Sequence, residues 1–317
     1  MGFPCNFSED AFSFDWPVAS FSKASGSRSQ IWISPVTIIL SIKVQDGVVM
    51  ASDSAVLHRG HLYTNADKNI QLVKGLPIGV LISGDGALGT RALTSVMQDF
   101  SIRASLRGNS CFIEKDSYTL EEVCEKLQAF ILEASMACLS PIRSALILSG
   151  YSAHADLPET WSIRFDGMER IEPELVWGEA DYGLSWEGQA GCIARLLNDV
   201  PHTGFNEADA RLAEVSLFNQ NSSELPEEGL DSPLLVTPGM PLMDAVDVAR
   251  FLMDTSLAFE RLRADRQIKT IGGPVDLAVI TRHEGFRWVQ RKRIPTVRTK
   301  SAGFRLDFPR RAALKLS

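Results

Sequence analysis

Hydrophobic and polar residues begin to alternate regularly at Thr37. In the segment TIILSIKV, from Thr37 to Val44, every second residue is aliphatic, so that Ile38, Leu40, Ile42 and Val44 share one face. A period of two is typical of a β-strand. An Asp46-Gly47 pair follows, and such a pair between alternating apolar segments is a strong hairpin signal. The pattern therefore predicts a β-hairpin from Thr37 to Ser54, with its turn at Asp46-Gly47.

The next segments predict a second hairpin and then helices. Alternation from Asn69 to Val73 and from Ile78 to Ser83, around a Gly- and Pro-containing turn, predicts the hairpin. A helical period predicts helices from Thr119 onward and at 242–263. Composition predicts a further helix at 87–106, and a shorter helix fits 189–198. Further strands are predicted at 144–149, 160–165, 171–177, 275–281 and 286–290.

The helix after Thr119 carries a capping signal of its own. Glu122 stands three residues after Thr119, which is the spacing of a capping box. The threonine hydroxyl then accepts from the backbone of Glu122, and the Glu122 side chain reaches back to the capping residue. The sequence therefore predicts a helix that begins directly after Thr119.

Strand pairs followed by helices, twice over, indicate the α+β class. Antiparallel sheets covered on their outer faces by helices give a four-layer αββα sandwich. We predict an irregular extension over residues 1–36, one domain over 37–290 and a basic tail over 291–317. The tail has nine Lys or Arg residues against a single Asp307. Because it lacks interleaved aromatic residues, we interpret it as a solvated terminus and expect no nucleic-acid partner.

Composition narrows the class of protein without naming an activity. Of 317 residues, 45% are hydrophobic and 22% are charged, as in ordinary globular proteins. The apolar runs are shorter than the roughly 20 residues that span a bilayer, and the start of the chain lacks a secretory signal. We therefore expect a cytoplasmic protein without a membrane partner. Five cysteines without a CxxC pair argue against a disulfide framework or a structural zinc site.

Two short motifs are weak evidence for a cofactor or a metal. The segment GDGALG, from Gly84 to Gly89, matches the dinucleotide pattern GxGxxG. The preceding strand belongs to a hairpin, and no acidic residue closes a second parallel strand about 20 residues later, so we reject that function. His58 and His61 lack a nearby third ligand. We expect no cofactor and no metal.

The segments TIILSIKVQDGVVMASDS, ADKNIQL, IGVLISGDGALG and GGPVDLAVITR occur in this order along the chain. Together they resemble the proteasome β subunits and the related bacterial peptidases of the N-terminal nucleophile (Ntn) hydrolase family. The resemblance covers most of residues 37–290. It implies that Thr37 is the nucleophile, that Asp53 and Lys68 support it, and that Gly84 provides an oxyanion contact. It also implies a peptide or protein substrate and a homo-oligomer, with a ring as one form.

These residue types suit the chemistry that the resemblance implies. A threonine hydroxyl needs an adjacent base, and the α-amine of an N-terminal threonine has a reference pKa near 8. A neighbouring Lys68 adds positive charge that favours the neutral amine, and Asp53 holds Lys68 in place. An exposed N–H at Gly84 then receives the developing oxyanion. The prediction is a threonine-dependent amide or peptide hydrolase, with a non-catalytic assembly subunit and a small-molecule amidase as alternatives.

The chain departs from the family pattern before the nucleophile. Val36 stands where the family usually has the glycine of a self-cleavage site. Valine codons can serve as bacterial start codons, so one hypothesis begins translation at position 36 and exposes Thr37 after methionine removal. Residues 1–36 are then not translated; the alternative is that they form a propeptide. If they stay attached to Thr37, a non-catalytic assembly subunit is favoured.

Two further departures concern the supporting residues. Strict counting from Asp53 places the lysine position on Asn69, but Lys68 keeps the apolar residues after it on their strand faces. Before GGPVDLAVIT the family often carries an Asp and a Ser, where this chain has Ile268 and Ile271. We therefore name Ser185 as the remaining candidate hydroxyl near Thr37.

Overall fold

The computed structural model describes residues 37–58, 61–188, 192, 193, 196, 235–237, 239–263 and 271–292. The predicted extension over 1–36, most of the helix predicted at 189–198 and the tail beyond residue 292 lie outside these residues. The described part has a mixed α and β architecture built from antiparallel sheets and a few helices.

Fifteen strands and three helices have described bounds. The strands of the first half of the chain are β1 (Ile38–Val44), β2 (Gly47–Ser52), β3 (Val56–His58), β4 (His61–Tyr63), β5 (Asn69–Gln71), β6 (Ile78–Gly84), β7 (Ala87–Leu88) and β8 (Arg91–Ala92). The remaining strands are β9 (Ile142–Gly150), β10 (Glu159–Gly167), β11 (Glu169–Arg170), β12 (Glu174–Trp177), β13 (Gly183–Gly188), β14 (Asp276–Thr281) and β15 (Gly285–Gln290). The helices are α1 (Leu93–Ala104), α2 (Leu120–Ala137) and α3 (Leu242–Leu262).

Two sheets dominate the described residues, and every strand pair in them is antiparallel. The five-stranded sheet has the order β13-β1-β2-β14-β15. The six-stranded sheet has the order β11-β10-β9-β6-β5, with β12 also paired to β10. Strand β6, which precedes the GDGALG segment, pairs with β5 and β9, and both pairs are antiparallel. This strand is therefore not part of the parallel βαβ unit that a dinucleotide site needs.

Three apolar clusters show what each sheet face packs against. One cluster joins α1 and α2 to the six-stranded sheet, and Phe100, Leu127 and Ile163 are fully buried in it. A second joins α3 to the five-stranded sheet. The third contains residues from both sheets: Ile39, Val48, Met50, Leu81, Ile147, Tyr151 and Ile280. Strand β1 is therefore buried on both faces.

The first hairpin forms as predicted, but its turn lies one residue earlier. Val44 pairs with Gly47, so Gln45 and Asp46 occupy the turn. The glycine is needed for close packing instead, because a Cβ at Gly47 would lie 2.4 Å from the carbonyl oxygen of Ile280 in β14. The second hairpin, between β5 and β6, also forms.

Two predicted boundaries need correction. The helix predicted at 87–106 begins only at Leu93, because Ala87–Leu88 and Arg91–Ala92 first pair as a short hairpin. The strand predicted at 171–177 begins at Glu174. Helix α2 begins after Thr119 as expected, and Glu122 N donates to Thr119 Oγ1 at 3.2 Å.

The reciprocal half of the predicted capping box is replaced by a different contact. The Glu122 side chain is held by Lys126 Nζ at 2.6 Å, one helical turn further on. That pair has the i,i+4 spacing that stabilises helices.

None of the described helices combines the length and apolarity needed to cross a membrane.

Candidate active site

The first hairpin brings Thr37 and Asp53 to the same end of the five-stranded sheet. Thr37 lies directly before β1 and Asp53 directly after β2, and the register pairs Ile39 with Ser52. Asp53 N donates to Ile38 O at 3.1 Å, which extends the pairing beyond the last strand residue. Residues 16 positions apart in sequence are thus fixed side by side by the strand register.

Lys68 reaches the same point from the six-stranded sheet. It stands just before β5, and Ile82 N donates to its carbonyl oxygen at 2.9 Å, so its backbone is held against β6. Lys68 Nζ donates to Thr37 Oγ1 in a close contact and to Asp53 Oδ1 at 2.6 Å. Asn69 instead donates to Met50 O at 3.0 Å. This geometry favours Lys68 over Asn69 as the lysine position.

Asp53 anchors the group because several donors hold its carboxylate. Oδ1 accepts from Lys68 Nζ, from Ile38 N at 3.2 Å and from Thr37 Oγ1 at 3.4 Å. Oδ2 accepts from Ala55 N at 3.1 Å and from Gly272 N at 3.0 Å. Both oxygens are occupied, so the carboxylate cannot rotate without losing several hydrogen bonds.

The three side chains lie inside the protein. Thr37 is 1% exposed, Asp53 0% and Lys68 5%. Burial lowers the pKa of the Lys68 ammonium from its ordinary value, while the negative charge and hydrogen bond of Asp53 oppose that shift. A buried lysine beside a hydroxyl and a carboxylate is the kind of perturbed group that occurs at functional sites.

Gly84 ends β6, two residues beyond Ile82, which binds Lys68. Its φ is +95°, and a Cβ there would lie 2.4 Å from Arg143 O, so both the backbone angle and the packing require glycine. The next N–H, that of Asp85, donates to Arg143 O at 3.0 Å. Strand β6 therefore ends at a glycine, next to the strand that follows Lys68.

Strand β13 closes the other side of Thr37. Gly188 pairs with Ile38, and a Cβ at Gly188 would lie 2.1 Å from Thr37 O. Glu187 pairs with Ile39, which places it diagonally across from Thr37 on the same face. Its carboxylate accepts from Arg164 at 3.1 Å. Burial raises the pKa of Glu187, and the Arg164 guanidinium counteracts that shift.

Ser185 is not brought to Thr37. It pairs with Ser41, four residues along β1 from Thr37, or about 13 Å at the usual rise of a strand. The register also assigns the diagonal position beside Thr37 to Glu187 rather than to Ser185. The sequence suggested Ser185 only because it is a hydroxyl in the right segment, whereas strand register decides which residue lies near Thr37.

Two supporting residues were missed by sequence reasoning. Gly272 N binds Asp53 Oδ2, and Gly272 O accepts from Ser54 N at 3.1 Å. Lys292 Nζ, in the predicted tail, contacts Ser54 Oγ at 3.3 Å. The GGP segment before the last hairpin was a signal for Gly272, because paired glycines allow close backbone approach. A lysine in a basic segment gave no such signal.

The described residues contain no group of three or more His, Cys, Asp or Glu side chains that could hold a metal ion.

Comparison with known proteins supports a proteasome-like fold. Anbu from Yersinia bercovieri, described as an ancestral beta-subunit, superposes with a TM-score of 0.53 at 15% identity, over 81% of this chain and 88% of that chain. Anbu from Hyphomicrobium sp. strain MC1 gives 0.53 at 14% identity, over 81% and 87%. The Anbu complex from Pseudomonas aeruginosa, solved as a helical assembly, gives 0.51 at 17% identity, over 81% and 88%.

No protein-family model matches the sequence, and no curated relative matches it. At 14–17% identity the structural similarity establishes the fold, while the activity has to be argued from the residues of this chain.

Proposed function

We propose that this protein is a threonine-dependent amide or peptide hydrolase of proteasome type, built on a four-layer αββα sandwich, with Thr37 as its N-terminal nucleophile. The observation that carries the proposal is the contact of one buried threonine hydroxyl with both a lysine and an aspartate. The apolar clusters on both faces of the two sheets and the similarity to Anbu support the fold.

Each side chain has a definite role in this proposal. The α-amine of Thr37 accepts the hydroxyl proton, directly or through one water. Lys68 Nζ, donating to Oγ1, stabilises the negative charge that develops on this oxygen. Asp53 holds Lys68 and the start of β1 together. A backbone N–H at Gly84 receives the carbonyl oxygen of the substrate as it becomes negative.

The reaction then balances without a cofactor. Thr37 Oγ1 bonds to the carbonyl carbon of the substrate, and the C–N bond breaks as the leaving amine takes the proton held by the α-amine. The product is an ester of Thr37. Water attacks the carbonyl carbon of that ester while the α-amine accepts a proton from it. The bond between this carbon and Thr37 Oγ1 then breaks, Oγ1 regains the proton from the α-amine, and the carboxylic acid product leaves.

A free α-amine is therefore a condition of the proposal. An amide nitrogen bonded to Val36 has no basic lone pair and cannot accept the hydroxyl proton. The active molecule must begin at Thr37, whether residues 1–36 are removed or are not translated.

A second candidate is a non-catalytic assembly subunit. The helical assembly of the Anbu complex supports homo-oligomerisation of proteins with this fold. If Val36 stays attached, the same buried hydrogen bonds serve only to fix the end of the sheet. The two candidates differ in whether Thr37 reacts.

N-terminal sequencing of the purified protein, combined with a threonine-reactive electrophile, separates them. We expect a chain beginning at Thr37, one label per chain on that residue, and no label or hydrolysis in Thr37→Ala. Thr90→Ala, at an exposed threonine, is the matched control and should react like the wild type. An extended terminus with no label would refute the hydrolase. Comparing peptides with small amides as substrates then separates a peptidase from a small-molecule amidase.

A further inference from the structure

Lys292 follows the last strand and is bound by four groups. Its Nζ lies 2.7 Å from Asp276 Oδ2, 2.8 Å from Asp67 Oδ1, 2.9 Å from Ala66 O and 3.3 Å from Ser54 Oγ. The side chain is 10% exposed. An ammonium has three N–H donors, so these four contacts use its whole bonding capacity. Lys292 is therefore an internal cross-link rather than a solvated charge of the tail.

Three of the four partners of Lys292 belong to the two segments that supply the candidate site. Ser54 directly follows Asp53, and Asp67 directly precedes Lys68. The two segments also bind each other, because Ala66 N donates to Ser54 O at 2.9 Å. One ammonium thus joins the residues next to the carboxylate and next to the lysine of the site.

The cross-link is anchored on the far side by Asp276, the first residue of β14. Asp276 is 1% exposed, and its Oδ1 accepts from the backbone N–H of Lys292 at 2.7 Å. A buried carboxylate requires a partner, and Lys292 supplies it through both its backbone and its side chain. Because β14 pairs with β2, this anchor is part of the same sheet as Thr37.

We propose that Lys292 is a positioning residue of the Thr37 site, which holds the Asp53 and Lys68 segments at a fixed separation and adds positive charge near Lys68. The positioning of the two segments stands on the contacts of Lys292, while its effect on turnover rests on the proposed function. Lys292 does not touch the reacting atoms in this proposal and acts through Asp67 and Ser54.

The electrostatics of Lys68 agree with this geometry. Burial is the main cause of its lowered pKa, Asp53 opposes the shift, and the Lys292 charge adds to the lowering. Removing the Lys292 charge should therefore raise the pKa of Lys68. A contact that only stabilised the fold would leave the Lys68 titration unchanged.

The test uses the full chain with Lys292→Met and, as a matched control, Arg291→Met at the exposed neighbouring residue. The Lys68 ammonium is titrated by NMR with isotopically labelled lysine, and its signal is assigned by its loss in Lys68→Met. We expect Lys292→Met to move this titration to higher pH and to lower kcat by about tenfold, since small displacements near a reacting group are costly. Arg291→Met should change neither.

A second variant keeps the test decisive if Lys292→Met does not fold. Lys292→Met combined with Asp276→Asn removes the buried carboxylate together with its partner, so no buried carboxylate is left unpaired, and the other ion-pair partner, Asp67, is 44% exposed. An unchanged Lys68 titration in the folded single or double variant would overturn the inference. A shifted titration in a protein without hydrolytic activity would support the positioning of Lys68 and refute the proposed hydrolase, so the two failures are distinguishable.

Discussion

Strand β1 has a buried lysine near each end, and the two lysines differ in their partners. Lys68 lies at the Thr37 end, where it contacts a hydroxyl and a carboxylate. Lys43, at the other end, donates to backbone carbonyls, at 3.1 Å to Glu179 O and in a closer contact to Asp181 O. Burial is the main cause of a lowered pKa at both lysines.

The difference shows that burial and a shifted pKa do not by themselves define a reactive site. Carbonyl oxygens can only accept hydrogen bonds, so among the described residues the hydrogen-bond partners of Lys43 include no hydroxyl or other nucleophile. The Thr37 end places a threonine hydroxyl, a lysine and a carboxylate within hydrogen-bonding distance of one another. The partners of a lysine, more than its desolvation, therefore separate the candidate site from a structural contact.

The largest effect is expected from Asp53→Asn, which removes the ion-pair partner of Lys68 at the Thr37 end of β1. The substitution keeps the shape of the side chain but leaves Lys68 buried without a counter-charge. Losing one partner of a buried ion pair costs about 3–5 kcal/mol of the free energy of unfolding. Denaturant titration of the variant and the wild type measures the difference.

Asp46→Asn is the control for this prediction, because Asp46 is an exposed aspartate in the turn of the same hairpin. We expect it to change the free energy of unfolding by less than about 0.5 kcal/mol. If Asp53→Asn proved equally mild, the carboxylate would not be the anchor of the site.

Replacing each lysine by methionine tests the comparison directly. Lys68→Met removes the charge that stabilises Thr37 Oγ1, so we expect hydrolysis or Thr37 labelling to slow by about 10²–10³-fold. Lys43→Met should leave the rate within about threefold, because it lies about 20 Å away along β1. Initial rates under saturating substrate, with folding checked by circular dichroism, give both values.

Equal losses of rate in the two methionine variants would contradict the assignment. That result would mean that both lysines affect the rate through the stability of β1, and that contact with the Thr37 hydroxyl is not the cause.

The elements that could be predicted from sequence are those with a local signal. The first hairpin, the second hairpin and the start of α2 at Thr119 all depend on alternation or capping within a few residues. The helix predicted at 87–106 began too early because its first residues pair as a short hairpin, which composition does not distinguish from a first helical turn. Local propensity was overridden there by strand pairing.

The candidate site shows the same division. Thr37, Asp53 and Lys68 each end or begin a predicted strand, so a resemblance based on order and spacing was enough to name them. Ser185 was misplaced because its distance from Thr37 depends on the pairing of β13 with β1, which a single sequence does not specify. Lys292 was missed because its partners come from three distant segments, and its neighbours in sequence suggest only a basic tail.

The pH dependence of stability tests the effect of burial on Lys43, at the other end of β1. Burial lowers the pKa of Lys43 from its ordinary value of 10.5, so the folded state binds fewer protons than the unfolded state between the lowered pKa and 10.5. The stability of the wild type should therefore rise relative to Lys43→Met as the pH increases through that window. Denaturant midpoints measured from neutral pH to pH 10 would show the trend, and a constant difference would contradict it.

The smallest effect is expected at Ser185 in β13, which pairs with Ser41 in the middle of β1. Among the described residues its buried Oγ has no hydrogen-bond partner, so Ser185→Ala removes an unsatisfied polar group. We expect the free energy of unfolding to change by less than about 1 kcal/mol and the rate to stay unchanged. Ser41→Ala, opposite it, breaks a 3.2 Å hydrogen bond to Ser149 and should cost more stability. A large loss of activity in Ser185→Ala alone would place this hydroxyl in the site after all.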